Sequence, residues 1–394
     1  MNSIHRGYMG KEVKQETSVD YSLNNSETIN KYKLAGEVSQ NVLSKVVDLC
    51  KEGAKLFDIC VRGDQLLEEA VGKVARGKDS YKGIAFPTAV SPNGVAAHLS
   101  PLSGDPEANI TLKAGDVVKV FLGAHIDGFA SLVATTLVVS EETISGQKAD
   151  VIAAAHAALK AAQRTIKPGN NNWQVTDIVD KIATTYGCKP VSGMLTHQQE
   201  RNVLDGKKQI ILNPSETQRA QFDNFTFEEG EVYGVDILVS SSPSGKIKRS
   251  DIATRIYKKN DTKYMLKLQA SRKVYSEIQN KFGAYPFSTR NINQDSRTNM
   301  AFGECTQHEL LYPYDVLTDK EGGYIAEFYS TIALTKNGTI AFSNAEPINS
   351  IQSDKKIEDQ EIKSLLQIPL KTSTASKKKK SNKKKSTGES KPAQ

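Results

Sequence analysis

The stretch KVFLGAHIDGFASLV, residues 119–133, contains two apolar segments on either side of His125-Ile126-Asp127-Gly128. An Asp-Gly pair between two such segments is typical of a tight turn between antiparallel strands. The sequence therefore predicts a β-hairpin here. His125 lies beside the turn, where it is either part of a working site or a residue of the core.

Two helices are predicted ahead of this hairpin. Apolar residues recur at helical spacing between Ile29 and Leu49, and again near Asp64–Ala75. Strand signals follow, in which β-branched runs are interrupted by Pro-Asn-Gly and Asp-Gly turns. From Lys148 onward the same order of two helices and then strands returns, which indicates an internal repeat.

The repeat has a definite register. Ala114–Ala124 aligns with Glu229–Val239 at an offset of 115 residues, so that Phe121 and Asp236 are symmetry mates. Two αβ halves of similar length predict a pseudo-twofold α+β architecture with a curved antiparallel sheet. We expect a cleft where the halves meet.

Charge is distributed unevenly along the 394 residues, whose formal net charge is +7. Residues 371–394 contain nine lysines and one glutamate, which leaves a net charge of −1 for everything before them. The body is therefore a near-neutral mixed surface, whereas the tail is a polycation. The tail has no aromatic residue on which a nucleic-acid base could stack.

The four cysteines are far apart in the sequence and form no CxxC pair. This spacing favours reduced thiols in a reducing compartment. The N-terminal residues show no signal-peptide pattern, and no segment approaches the roughly 20 apolar residues of a membrane span. We expect a soluble protein with no membrane partner.

Together these patterns predict a folded body between two disordered ends. The predicted units are a disordered N-terminus, 1–24; a body, 25–352, with halves of about 25–147 and 148–352 and a helical insertion at about 269–317; a short C-terminal helix, 353–370; and a disordered lysine-rich tail, 371–394. The segment EIKSLL, residues 361–366, has the pattern of a docking helix, although such helices more often pack on their own domain.

Several stretches carry a resemblance to a known family. They are FPTAVSPNGVAAHLSP (86–101), YKGIAFPT (81–88), GMLTHQ (193–198) and EVYGVDILVSS (231–241). With the duplicated halves they resemble type II methionine aminopeptidases, and more closely the proliferation-associated, ErbB3-binding relatives of those enzymes, over about residues 21–348. The resemblance implies the pita-bread fold and, because these relatives are non-catalytic, a chain that is not an enzyme.

The resemblance also places the metal ligands of the enzymes. Those enzymes hold two metal ions, which generate a hydroxide nucleophile, with two aspartates, one histidine and two glutamates. The corresponding positions here carry Phe121, Leu132, His197 (or Met194, depending on a gap), Asp236 and Tyr329. One carboxylate and one imidazole do not offset the repulsion between two divalent cations, so we expect no metal and no other cofactor.

His98 matches the catalytic histidine of the enzymes, and we expect it to persist as a hydrogen-bonded cleft residue. His125 matches no ligand position, so we expect a strand-end histidine that hydrogen-bonds to neighbouring backbone. We name the following six residues the vestigial cleft: His98, Phe121, Leu132, His197, Asp236 and Tyr329.

Without catalytic metals, function has to be argued from surfaces. Seven tail lysines lie within nine residues, which suits binding to phosphate backbones or to a nuclear import receptor. A second basic region starts in the loop before Ile247 and runs into the insertion. The candidate nucleic-acid-binding residues are Lys377, Lys378, Lys379, Lys380, Lys383, Lys384, Lys385, Lys246, Lys248, Arg249, Arg272 and Lys273.

The leading hypothesis is a non-enzymatic protein of nucleus and cytoplasm that binds DNA by shape, structured RNA, or ribosomal and pre-ribosomal particles. The relatives implied by the resemblance associate with such partners. Two alternatives stay open. One is a residual metallo-aminopeptidase, and the other is a binder of peptide N-termini in the cleft, where Phe121, Leu132 and Tyr329 would supply an apolar floor.

Overall fold

A computed structural model describes residues 19–74, 81–292 and 296–372. These residues form eight α-helices: α1 (Ser26–Val47), α2 (Leu56–Lys73), α3 (Gly146–Thr165), α4 (Asn172–Thr185), α5 (Glu216–Gln221), α6 (Gln269–Phe282), α7 (Ser296–Gln307) and α8 (Gln360–Gln367). The same ranges contain sixteen strands: β1 (Lys82–Pro92), β2 (Val95–Ala97), β3 (Val117–Ile126), β4 (Phe129–Val138), β5 (Lys189–Pro190), β6 (Leu195–Gln199), β7 (Gln209–Ile211), β8 (Val232–Ser240), β9 (Ile247–Arg249), β10 (Ile256–Lys259), β11 (Phe287–Ser288), β12 (Leu311–Tyr314), β13 (Leu317–Asp319), β14 (Ile325–Thr335), β15 (Gly338–Ala341) and β16 (Lys371–Thr372). None of the helices in these ranges has the length and apolar content needed to cross a membrane.

The main sheet follows the order β1-β3-β4-β14-β8-β6-β7, and neighbouring strands along it are antiparallel. Strands β3 and β4 are the predicted hairpin, in which Ile126 pairs with Phe129. Asp127 and Gly128 form its turn with φ angles of +52° and +80°. Positive φ at both turn residues gives the backbone twist that suits a two-residue hairpin, which explains the Asp-Gly pair.

Backbone hydrogen bonds confirm the repeat. Gly115 has a φ of +86° and donates its N–H to the Val139 carbonyl at 2.8 Å. Its counterpart Gly230, at the predicted offset, has a φ of +92° and donates to the Leu334 carbonyl at 2.8 Å. The two glycines therefore end equivalent turns, where a positive φ favours glycine. The chain between Gly230 and Leu334 is longer than that between Gly115 and Val139 because it contains the insertion.

The two faces of the main sheet bury different sets of residues. Helices α1 and α3 pack on one face, where Val120 and Leu122 of β3 join the largest apolar core. Residues of the opposite parity, including Phe121, Leu132 and Tyr329, belong to a second apolar cluster. Because side chains alternate along a strand, this second cluster lies on the face away from α1 and α3.

A small sheet joins the insertion to β10, which precedes the predicted start at about residue 269, and the expected helices follow it. Strands β11, β10 and β12 form this sheet, and α6 packs against α7. Arg290 ties the insertion to the first half through an ion pair with Asp64 at 2.7 Å, in which both side chains are about 5% exposed (6% and 5%). Arg255, directly before β10, forms a further ion pair with Asp105 of the first half at 2.5 Å.

Several boundaries differ from the sequence-based prediction. Helix α2 begins at Leu56, well before Asp64, because Leu56, Ile59 and Cys60 continue its buried face. Order begins before residue 25, since Leu23 is buried in an apolar cluster with Phe129. At the other end β16 pairs with β15, so packing reaches past residue 370.

The docking-helix pattern at residues 361–366 forms part of α8. This helix packs on α3, and Ile362 is buried in the main core. Leu365 and Leu366 are partly buried against the same core. The motif is therefore packed on its own domain, as predicted. The tail lysines from Lys377 to Lys385 lie outside the described residues.

Candidate functional site

All six vestigial-cleft residues line one cavity of about 340 Å³. Strands β3, β4, β6, β8 and β14 supply five of them, and His98 follows β2 directly. The cavity lies on the sheet face opposite α1 and α3. The predicted cleft is therefore a real feature of the fold, and it gathers residues from both halves.

An aromatic wall surrounds Phe121, the residue that the resemblance aligns with the first aspartate ligand of the enzymes. The Phe121 ring lies 4.5 Å from the Phe86 ring and 5.1 Å from the Tyr329 ring, measured between centroids. Tyr314 extends the wall, with its ring 5.5 Å from Phe86 and 5.2 Å from His98. Tilted and edge-to-face contacts between aromatic rings are favourable, so these rings hold one another in place. The rings make this part of the cavity apolar and rigid.

Tyr329 is fitted closely into the sheet. It lies opposite Asp236 in the β14–β8 register, and its hydroxyl accepts a hydrogen bond from the Gln199 side chain at 2.9 Å. A Cβ atom at Gly234 would lie 1.8 Å from the Tyr329 hydroxyl oxygen, so only glycine leaves room for this phenol. Burial, followed by the Asp236 charge, raises the pKa of Tyr329 well above its ordinary value, which keeps the phenol neutral.

Leu132 is the residue that the resemblance aligns with the second aspartate ligand of the enzymes. It is buried, and Gly123 on the neighbouring strand leaves space for it, since a Cβ there would lie 2.6 Å from the Leu132 Cγ. Its neighbours in the second apolar cluster include Phe121 and Ala134. This position therefore contributes apolar surface and no ligand atom.

Three ionisable side chains lie on the cleft face and were not all predicted: Lys119 and Glu327 are buried, and Asp236 is half-buried. Burial, then the neighbouring Glu327 charge, raises the pKa of Asp236, and burial likewise raises the pKa of Glu327. The Lys119 charge partly opposes the rise in the pKa of Glu327, and its ammonium donates to the Asn93 carbonyl at 2.6 Å. Burial lowers the pKa of Lys119 to about 7, against the opposing effect of Glu327.

Lys119 and Glu327 were missed by sequence reasoning, although the sequence contains a signal for each. Lys119 lies between two valines in an apolar strand, two residues before Phe121. Glu327 lies two residues before Tyr329 in the stretch YIAEFYSTI. A two-residue spacing on a strand places side chains on the same face, so both could have been assigned to the cleft side.

The two cleft histidines are neutral near pH 7. The Nδ1 atom of His98 lies 2.9 Å from the Asp315 carbonyl, so Nδ1 carries the proton and Nε2 a lone pair. His98 also has a φ of +69°, a strained value that neighbouring structure must hold in place. Burial lowers the pKa of His98 and that of His197, whose Nδ1 has no hydrogen-bond partner within the described residues.

His125 belongs to the core, as expected, but its contacts differ from the prediction. Its ring stacks on Tyr285 with centroids 4.2 Å apart and planes at 15°. Its Nδ1 finds no hydrogen-bond partner in the described part of the chain, so the predicted backbone bond is absent at that atom. Burial lowers the pKa of His125 to about 3, and the neutral ring acts as an aromatic residue. It does not line the cleft.

The residues of this cavity do not fit a pair of metal ions. Phe121 and Leu132 have no donor atom, and the Tyr329 phenol is neutral and bonded to Gln199. Over residues 19–74, 81–292 and 296–372, no group of three or more His, Cys, Asp or Glu side chains is arranged to hold a metal ion. The donor set that remains, Asp236 and His197, lacks the carboxylates that a dinuclear site requires.

The predicted basic residues lie on two separate elements. Lys246, Lys248 and Arg249 are exposed at β9, which pairs with β13 in a small sheet with β2. Arg249 lies 3.2 Å from Asp315, and Lys320 continues the basic strip by donating its N–H to the Lys246 carbonyl at 2.9 Å. This strip, Lys246, Lys248, Arg249 and Lys320, is hereafter the β9 strip.

The other two predicted residues, Arg272 and Lys273, are exposed on α6. The Arg272 guanidinium donates to the carbonyls of Leu266 and Lys267 at 2.8 and 2.9 Å, so part of it is used in fixing the helix start. Lys258 forms an ion pair with Asp205. The second basic region is therefore less continuous than its sequence indicates.

The fold and the cleft define a class of protein. Residues 30–256 match the model of metallopeptidase family M24, and the chain belongs to that family. Within it, the chain is 75% identical to the curved DNA-binding protein of Schizosaccharomyces pombe over 371 residues, which covers 94% of this chain and 97% of that protein. It is 40% identical to ErbB-3 binding protein 1 of Arabidopsis thaliana, covering 89% of this chain and 88% of that one.

A solved structure shows the same architecture. The structure of a thermophilic Arx1 superposes with a TM-score of 0.82 at 32% identity, covering 88% of this chain and 99% of that chain. The pita-bread fold predicted from the sequence is thereby confirmed. The resemblance to the proliferation-associated, ErbB3-binding relatives is confirmed as well.

Proposed function

We propose that this chain is a non-enzymatic nucleic-acid-binding protein on an inactivated aminopeptidase fold. The observation that carries the proposal is the packing of Phe121, Leu132 and Tyr329 into the wall of the cleft, at positions that the resemblance aligns with metal ligands. On a fold that has lost metal-dependent peptide hydrolysis, function depends on the surfaces that bind other molecules. The name of the Schizosaccharomyces pombe relative, a curved DNA-binding protein, supports DNA as one ligand.

Two charged features support phosphate binding. The first is the lysine-rich tail. Lysines that neutralise phosphates displace the counterions condensed on the nucleic acid, which favours binding. The second is the β9 strip, which is held on a strand and can therefore present its charges in a fixed arrangement. Phosphate contacts of this kind orient a nucleic acid without reading its sequence. We therefore propose recognition by shape, for curved DNA or for structured RNA.

A role in ribosome biogenesis or growth regulation is part of the proposal. Its support is the family resemblance, which implies ribosomal and pre-ribosomal particles as partners, and the similarity to Arx1. A tail rich in lysine also suits a nuclear import receptor. On this basis the protein acts in both nucleus and cytoplasm.

A binding experiment separates the two charged features. Affinities for a curved and a straight duplex of equal length are measured for the full chain, for a deletion of residues 373–394, and for the triple variant Lys246→Gln, Lys248→Gln, Arg249→Gln. A control triple variant removes three other exposed lysines, Lys51→Gln, Lys113→Gln and Lys336→Gln. We expect the tail deletion to weaken both duplexes about equally, and the β9 variant to reduce the preference for the curved one.

The proposal fails if the full chain binds neither duplex nor structured RNA, or if the control variant has the same effect as the β9 variant. The residual-enzyme alternative has its own test. Release of methionine from a Met-Ala-Ser peptide in the presence of Mn²⁺ or Co²⁺, lost on Asp236→Ala, would support the enzyme instead.

A further inference from the structure

We propose that residues 373–394 of the lysine-rich tail dock on the body of the same chain, in a groove between α1 and residues 342–348, hereafter the α1 groove. The contact lies within the chain and does not depend on nucleic-acid binding. Four features support it: the fixed walls of the groove, the negative charge of its rim, the place where β16 ends, and the length of the tail.

The walls of the α1 groove are fixed by close contacts. A Cβ atom at Gly36 would lie 2.1 Å from the Phe342 carbonyl oxygen, so α1 meets the opposite wall through a glycine. Further along, the Asn344 N–H donates to the Gln40 side chain at 3.0 Å, so the two walls run in the same direction. Leu43 and Phe342 are buried at the floor, and the volume is about 420 Å³. The groove is therefore preformed, with an apolar floor.

The rim of the groove is negative. Its described lining contains no lysine or arginine, and it contains three carboxylates, those of Glu37, Asp48 and Glu346. Glu346 is held by Lys160 at 3.3 Å and by His156 at 2.9 Å. Glu37 and Asp48 form no ion pair within the described residues. A groove lined by unpaired charges of one sign attracts a ligand of the opposite sign.

The C-terminal end of α1 strengthens this field. Asp48 is the C-cap residue of α1, and the carbonyl groups at a helix C-terminus carry partial negative charge. A carboxylate at this position is therefore unfavourable by itself, and a cation brought to it would be stabilised. Glu37 lies three turns earlier on the same side of the helix, about 16 Å away, so the negative field extends along the groove.

The described chain leads into the groove. Strand β16 pairs with β15 in parallel, and Thr372 lies opposite Ala341. Ala341 is the last residue of β15 and lines the groove. The strands of a parallel pair run in the same direction, so a chain that continues from β16 follows residues 342–348 along the groove.

The tail has the length and the charge for this path. Five residues lead from the end of β16 to Lys377, and in extended form they span about 17 Å. This length is close to the separation between Glu37 and Asp48 along α1. The lysine run at residues 377–385 therefore comes within reach of both carboxylates. The residues before it, 373–376, are Ser, Thr, Ala and Ser, whose small side chains can pass over the apolar floor.

Docking of this kind holds the tail until a stronger polyanion displaces it. Duplex DNA carries one charge for about every 1.7 Å of its axis. The two unpaired carboxylates of the groove are spaced about 16 Å apart along α1. A duplex can therefore displace the tail, whereas a weakly charged partner cannot.

Carbodiimide crosslinking of the full chain, followed by peptide mass spectrometry, tests the docking. This reagent joins a lysine amine directly to a carboxylate that it contacts. We expect the lysines of residues 377–385 to crosslink to Glu37 or Asp48 at least about threefold more than to Asp354 and Glu361, as a modest ion-pair preference would give. Asp354 and Glu361 are exposed carboxylates on the segment that leads to the tail. The difference should disappear at about 1 M salt, where the Debye length is about 3 Å.

A protection experiment uses matched variants of the full chain. The double variant Glu37→Gln, Asp48→Asn removes the two unpaired charges and keeps the size of both side chains. The control Asp354→Asn, Glu361→Gln removes two exposed charges elsewhere. Trypsin cleaves after lysine, so docking protects the tail. We expect the tail of the groove variant to be cleaved about two- to fivefold faster than that of the wild type, and the tail of the control at the wild-type rate.

Equal crosslinking of the tail to the groove and to the control carboxylates in the wild-type chain would overturn the proposal even if the groove variant failed to fold. Equal cleavage of the tail in the groove variant and the wild type would overturn it as well. In a mixture of unlabelled and ¹⁵N-labelled chains, crosslinks that join the two kinds of chain as often as random pairing allows would assign the groove to the tail of a second copy, against the proposal. These readouts contain no nucleic acid, so failure of the proposed function leaves them unchanged.

Discussion

Restoring an aspartate at position 121 should damage the protein without restoring an enzyme. In the native cleft the Phe121 ring is 9% exposed and touches the rings of Phe86 and Tyr329. Removing a buried phenylalanine costs about 3–5 kcal/mol through lost burial and the space left behind. The new carboxylate would share a low-dielectric cavity with Asp236, which adds a further cost. Against a typical total of about 5–15 kcal/mol, the loss is large.

The matched control is Phe121→Leu, which keeps an apolar side chain and should cost about 1–2 kcal/mol. The free energy of unfolding is measured by denaturant titration for both variants and the wild type. Methionine release is then assayed with Mn²⁺ or Co²⁺. Leu132 and Tyr329 still block two ligand positions, so no activity is expected. Metal-dependent release by Phe121→Asp above the Phe121→Leu background, or an unfolding free energy equal to wild type, would refute the reasoning.

Three further predictions follow from the charges. Deleting residues 373–394 should leave the fold intact, since β16 is kept, and should reduce the slope of log K against log salt by about five if roughly five or six lysines engage duplex phosphates; the nuclear fraction should fall as well, and an unchanged slope and distribution would count against both roles of the tail. Arg290→Met leaves Asp64 buried and unpaired and should destabilise the protein by about 3–5 kcal/mol, as measured by denaturant titration, whereas a neutral result would show that the insertion is held by other contacts. The raised pKa of Asp236 means that the folded state binds its proton more tightly than the unfolded state, so wild type should lose stability relative to Asp236→Asn as pH rises above about 4, the ordinary pKa of an aspartate; melts at several pH values that show a constant difference would contradict this.

Much of the fold was predictable because local patterns and global architecture agree. The Asp127-Gly128 pair specifies its hairpin turn, and the offset of 115 residues aligns Gly115 with Gly230 in equivalent turns. The second half was harder to predict. Strand β10 pairs with β11 and β12 across long loops, and no periodicity in so short a strand signals that pairing.

The cleft was located by resemblance and its chemistry was only partly foreseen. The six named residues line one cavity, but the ring contacts of Phe86 and Tyr314 became visible only in three dimensions. The two-residue spacing could have placed Lys119 and Glu327 on the cleft side, but their interaction with each other across strands could not be read from it. A charged residue in an apolar strand indicates that an opposite charge or a hydrogen-bond partner compensates for its burial. It does not show which residue on a distant strand provides that compensation, because strand order is a long-range property.

Crosslinking of the native protein in cells, followed by sequencing of the attached nucleic acid, tests the central claim most directly. We expect covalently attached DNA or structured RNA, including ribosomal RNA, and we expect the yield to fall when residues 373–394 and the charges of the β9 strip are removed together. Recovery of no nucleic acid above the level of that charge-depleted variant would contradict the claim that this fold now functions through nucleic-acid binding.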